Sequence, residues 1–160
     1  MSTIFLENVQ LVCPLQERNH TATLELKEGR IAAIHSVPKP CADAQRYDCS
    51  GLVAFPGLFD ILTYCGDSDS PHRDDFTNLS KAASAGGYTD IALGPWGEPC
   101  VDNASMVHEF MSRARRTALN VHVIGALTAD LQGTDLAELG QMAEAGVAGF
   151  SNGGAPIESS

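Results

Sequence analysis

Basic residues are scarce in this chain: ten Lys and Arg stand against twenty Asp and Glu in 160 residues, a formal net charge of −10. A surface of that sign repels phosphate backbones, which argues against nucleic acid as a partner. Long apolar runs are missing as well. None approaches the ~18 residues that a membrane-spanning helix needs. The opening stretch, Met1-Ser-Thr-Ile-Phe-Leu-Glu7, lacks a basic region and meets an acid early, so no secretory signal is expected. The five cysteines (Cys13, Cys41, Cys49, Cys65 and Cys100) are odd in number, scattered, and form no C-x-x-C pair. That pattern speaks against a disulfide framework or a zinc ribbon and for reduced thiols in the cytoplasm.

What is present is globular: 44% hydrophobic and 19% charged residues can build a packed core. The length allows one ordinary domain, or a small domain plus part of a larger one. The first fifty residues read as β structure. Ile4 to Val12 is rich in strand formers and Pro14 stops it. Thr21–Leu26 alternates, Lys27-Glu-Gly-Arg30 turns, and Ile31–His35 returns, which predicts a hairpin. Residues 36–50, with Pro38 and Pro40, suit a loop or a short edge strand. His20 and His35 have no partner at ligand spacing and read as ordinary residues.

From Leu52 the texture changes. Val53–Ile61 is a nearly continuous apolar run, as expected of a strand buried on both faces. A helix is expected at about 75–85, stopped by Gly86-Gly87, then a strand over Tyr88–Leu93. Asp102 or Asn103 can cap the next helix, where Val107, Phe110, Met111 and Ala114 form one apolar stripe. Val121–Leu127 predicts a third strand, on which His122 is a strand residue. Asp135-Leu-Ala-Glu138 resembles a capping box opening a third helix that Gly146 closes, and Val147–Phe150 predicts a fourth strand. This repeated β-α spacing is that of a parallel sheet. Residues 1–52 are thus read as an N-terminal β segment. Residues 53–160 hold about three β-α units plus a fourth strand, short of the ~250 residues that an eightfold barrel takes.

The acidic cluster Asp67, Asp69, His72, Asp74 and Asp75 is the sharpest charge feature. It has His72 where a calcium loop needs glycine, so it reads as a solvated loop with a helix cap. No Ser/His/Asp order or phosphate-cradling loop stands out.

The segment Val53-Ala-Phe-Pro-Gly-Leu-Phe-Asp60 resembles the cyclic amidohydrolases, whose pattern there continues to a His-x-His pair. Ala85-Gly-Gly-Tyr-Thr89, His122–Thr128 and Ala145–Ser151 are similar to further family segments in the same order, with dihydroorotase the best fit. The resemblance implies an α/β fold. An N-terminal β segment of a composite β-sandwich is followed by the first, incomplete part of a (β/α)8 TIM-type barrel. In active members it also implies one or two zinc ions at the C-terminal strand ends, whose bound hydroxide attacks a cyclic amide.

Residue by residue, the resemblance places substitutions at that site. Leu62 and Tyr64 stand at the His-x-His positions, and leucine has no lone pair to give a metal. Gly66 stands where a substrate-binding Arg is expected, and Trp96 where an Asn is offered to substrate. Asn152 and Gly153 replace two aspartates, and an amide cannot neutralise cations as a bridging carboxylate does. Further family ligands and the catalytic Asp would lie past Ser160. The expectation is therefore an inactive dihydroorotase-like protein of pyrimidine biosynthesis. Such a chain would hold no zinc or other cofactor and would partner aspartate carbamoyltransferase, with self-association also possible. An active zinc-dependent cyclic amidohydrolase and a functionless fragment of a longer chain are the alternatives.

Overall fold

Strand β1, Ile4–Cys13, is the centre of the first sheet because its backbone is paired with other strands on both edges. The computed structural model describes residues 3–37, 40, 41, 43–65, 76–97 and 99–158. β1 pairs antiparallel with β2, Arg18–Lys27, and β2 with β3, Arg30–His35. Glu28 and Gly29, both at positive φ (52° and 72°), make the tight turn between β2 and β3, so the expected hairpin forms. On the other edge β1 pairs parallel with β4, Gln45–Asp48, and with β5, Val53–Ala54. Asn8, at φ 59°, lies where the β1–β2 register slips between Leu6 and Val9. This bulge shifts the pleat by one residue, so Leu6, Val9 and Leu11 gather on one face with Ala22, Leu24 and Cys49.

The chain divides into two compact units, Met1–Pro56 and Gly57–Ser160. The expected boundary at 52/53 fell earlier, because Val53 and Ala54 belong to the first sheet. The continuous strand expected over 53–61 is in fact two strands, with Pro56 between them. β6, Leu58–Thr63, begins the second sheet, and its apolar residues are exposed where burial on both faces was expected.

The second sheet is parallel with strands in chain order: β6, then β7 (Tyr88–Leu93), β8 (Asn120–Ala126) and β9 (Gly149–Ser151). Helices α1 (Phe76–Ala85), α2 (Ala104–Ala114) and α3 (Leu139–Ala145) connect successive strands. This is the order of one side of a (β/α)8 barrel. Asn103 caps α2 by accepting the Met106 N–H at 3.1 Å. Its stripe Val107, Phe110 and Ala114 is buried against Ile91, Leu93 and Val123 of the sheet. The Arg113 guanidinium lies 4.8 Å from the Phe76 ring centre, and Phe76 and Phe110 meet edge to face at 5.9 Å. The capping box expected at Asp135 does not form. Leu136 instead bridges to Thr128, and α3 starts only at Leu139 without a side-chain cap. Gly146, at φ 95°, closes it as expected.

Candidate functional site

Because β6–β9 run parallel, their C-terminal ends lie along one edge of the sheet, the edge at which barrel enzymes place their chemistry. Four of the six positions singled out from the sequence border this edge directly: Tyr64 follows β6, Trp96 follows β7 by way of Gly94 and Pro95, and Asn152 and Gly153 follow β9. Leu62 lies one residue inside the end of β6. Gly66 and the loop cluster of Asp67, Asp69, His72, Asp74 and Asp75 lie outside the described residues.

Leu62 and Tyr64 are exposed. The Leu62 N–H donates to Asp60 Oδ1 at 3.1 Å, a bond within β6 itself. Asn152 is buried and every polar end of it is engaged. Its Oδ1 accepts from Thr128 Oγ1 at 2.7 Å and from the Thr128 N–H at 3.2 Å, and its Nδ2 donates to Ala155 O at 3.1 Å. Thr128 Oγ1 in turn accepts the Gly133 N–H at 2.9 Å. Trp96 packs where both Gly94 and Gly153 lack a Cβ. A cavity of about 370 Å³ beside it is bordered by Tyr64, Trp96, Cys100, Asp130 and Leu131.

Burial, with Asp102 and Asp130 adding to it, pushes the Cys100 thiol up to about 11, so it is protonated at neutral pH. The Cys100 S–H points at Pro95 O, 3.4 Å away. These residues do not fit the zinc that the family resemblance implies. Leucine and glycine carry no donor atom, and the Asn152 oxygen already serves Thr128. Among the described residues no three His, Cys, Asp or Glu side chains gather as a metal site would require.

One polar pair escaped the sequence reading. His122 Nε2 lies 3.1 Å from Asp90 Oδ1, with the Phe59 ring 5.1 Å from the imidazole. His122, Thr89 and Asn120 together hold the Asp90 carboxyl below its ordinary range. Register alone brings the pair together, since Ala92 is opposite His122 and Asp90 opposite Asn120. No spacing in the sequence signals it. The pair lines a larger cavity, about 620 Å³, beside the start of β8 and the end of α2, away from the C-terminal edge.

No protein-family model matches the chain. It is 34% identical over 155 residues to a dihydroorotase of Geotalea daltonii, covering 96% of this chain and 36% of that protein. A dihydroorotase of Solibacter usitatus is 31% identical over 158 residues, with the same coverage of each chain. The chain thus spans about a third of the length of the curated relatives it matches. Among solved structures, an L-hydantoinase from Arthrobacter aurescens superposes with a TM-score of 0.78 at 24% identity, over 94% of this chain and 32% of that one. A crystal structure of a dihydroorotase gives 0.63 at 15% identity, over 94% and 42%. No helix among the described residues is long and apolar enough to cross a membrane. Sequence relatives and fold point the same way: the chain is similar to dihydroorotases over nearly its whole length, and its fold is shared with a hydantoinase and a dihydroorotase of known structure.

Proposed function

We propose that this chain is a non-catalytic dihydroorotase-like body of pyrimidine biosynthesis, working as a structural subunit that supports assembly of aspartate carbamoyltransferase. One observation carries the first half of that reading. Where the resemblance expects metal ligands, Asn152 is bound into the fold by Thr128 and Ala155, and the neighbouring Gly153 lies under the Trp96 indole. The partner half rests on the family resemblance and on the intact core of each sheet. A chain that keeps its packing while its strand ends lose donors is useful as a folded body. The cytoplasm suits it, since all five cysteines are free thiols.

The protein purified from its own cells, dialysed and analysed for metal, should hold no stoichiometric zinc, turn over no dihydroorotate, and co-elute with the transferase. One or two tightly held zinc ions together with turnover would establish the second reading, an active cyclic amidohydrolase, which the relatives' names favour. Normal transferase assembly in cells lacking this protein would remove the structural role.

A further inference from the structure

Trp96 is held between two glycines at opposite ends of its ring. A Cβ placed on Gly94 would stand 2.0 Å from Trp96 Cζ3 and 2.3 Å from Cε3. One on Gly153 would stand 2.0 Å from Nε1 and 2.5 Å from Cε2. Such separations are far inside van der Waals contact, so neither position can carry a side chain while the ring stays. The benzo edge therefore rests on the backbone after β7 and the pyrrole edge on the turn after β9. Since β8 lies between these strands, the indole reaches across its C-terminal end.

We propose that Trp96 is a built-in plug of the strand-end site: its indole takes the volume that any side chain at 153 needs, so a carboxylate there and the indole exclude one another. Two neighbours define the plug's other sides. The cavity bordered by Tyr64, Cys100 and Asp130 lies beside the ring, and the buried Asn152 amide precedes the glycine on which the ring rests. The inference rests on the reading above only in naming position 153 as a former ligand position. The contact between ring and glycines stands without it. It follows that restoring histidines at 62 and 64 cannot bring back a carboxylate at 153 while Trp96 remains. It also follows that position 153 cannot regain a side chain without a change at Trp96.

The chain has one tryptophan, so its emission reports on the plug directly. The test is a pair of double-mutant cycles in the whole protein: Gly94→Ala and Gly153→Asp, each with Trp96 and with Trp96→Ala. Gly94 is the cleaner probe because its φ is not positive, whereas Gly153 sits at φ 63° and keeps a backbone cost in either background. With Trp96 present, Gly94→Ala should lower Tm by several degrees and red-shift the emission as the ring is expelled into water. With Trp96→Ala, most of the Tm loss should vanish, and Gly153→Asp should recover in part. A Gly94→Ala variant that folds only in the Trp96→Ala background supports the plug equally. Equal losses in both backgrounds, failure to fold in both, or an unmoved emission would overturn it. Zinc or turnover found in the unaltered protein would remove the non-catalytic reading and leave this coupling intact, so the two failures are distinct.

Discussion

The Thr128 hydroxyl donates to the Asn152 side-chain oxygen at 2.7 Å, and both residues are buried, with 0% and 9% of their surface exposed. This bond ties the end of β8 to the end of β9 and, through Gly133 and Ala155, to the loops beyond each strand. An amide suits the position because it accepts from Thr128 on one side and donates to a carbonyl on the other. Asn152→Ala leaves the Thr128 groups and the Ala155 carbonyl unpaired and should cost about 1–3 kcal/mol. Asn152→Asp keeps the acceptor but aims a carboxylate at the Ala155 carbonyl, so it should also lower Tm at neutral pH. Urea unfolding of the three proteins checks this, and an aspartate variant as stable as the parent would contradict the assignment.

The helix side of the second sheet should be far less tolerant than β6. Met142 has no exposed surface and its sulfur faces Gly125, so Met142→Ala should cost about 2–5 kcal/mol. Ile61 on β6 is 77% exposed, and Ile61→Ala should stay within about 0.5 kcal/mol. Denaturant midpoints at a common m-value provide the comparison.

Acid should weaken the first sheet through Glu25. This buried carboxylate accepts from Lys27 Nζ at 2.6 Å and from His35 Nε2 at 2.7 Å, and these two bonds, Lys27 first, hold its pKa below the ordinary 4.5. A carboxyl depressed in the folded state contributes stability above its unfolded pKa, and that contribution is lost as pH falls through the folded value. Glu25→Gln should therefore be less stable than the parent at neutral pH. The two stability curves should converge below about pH 4.5. Thermal unfolding scanned over pH reads this out, and parallel curves would contradict it.

Thiol chemistry should follow burial. At pH 8 iodoacetamide should modify the exposed Cys41 first, with the buried Cys49 and Cys65 and the raised-pKa Cys100 lagging well behind it. Mass spectrometry of the digested protein gives the order.

Sequence legibility followed the range of each signal. The helix stripe at Val107, Phe110 and Ala114 and the Asn103 cap are local patterns, and both appear in the structure as read. The apolar run from Val53 was misjudged because uninterrupted hydrophobicity carries no register. Only pairing with β1 reveals that Val53 and Ala54 belong to the first sheet. The pattern from Asp135 to Glu138 failed as a helix start because Leu136 bridges to Thr128, a tertiary contact that overrides local propensity. Leucine at 62 and asparagine at 152 were visible as departures from a family pattern. That Asn152 is bound by Thr128, or that Gly153 lies under Trp96, depends on strand ends that only the fold assembles.

Strand β6 carries one more consequence. Among the described residues it pairs with β7 alone, and its register there slips twice, between Leu58 and Phe59 and between Asp60 and Thr63. Phe59, Ile61 and Leu62 are nonetheless exposed along it, with Asp60 the single acid among them. Bulges blunt an edge, but an apolar strand with one free side remains a template for further strands. Residues 1–160 overproduced by themselves should therefore enter inclusion bodies or grow by edge-to-edge addition. A charge placed on this strand, such as Ile61→Lys, should raise the soluble yield without touching the strand-end site.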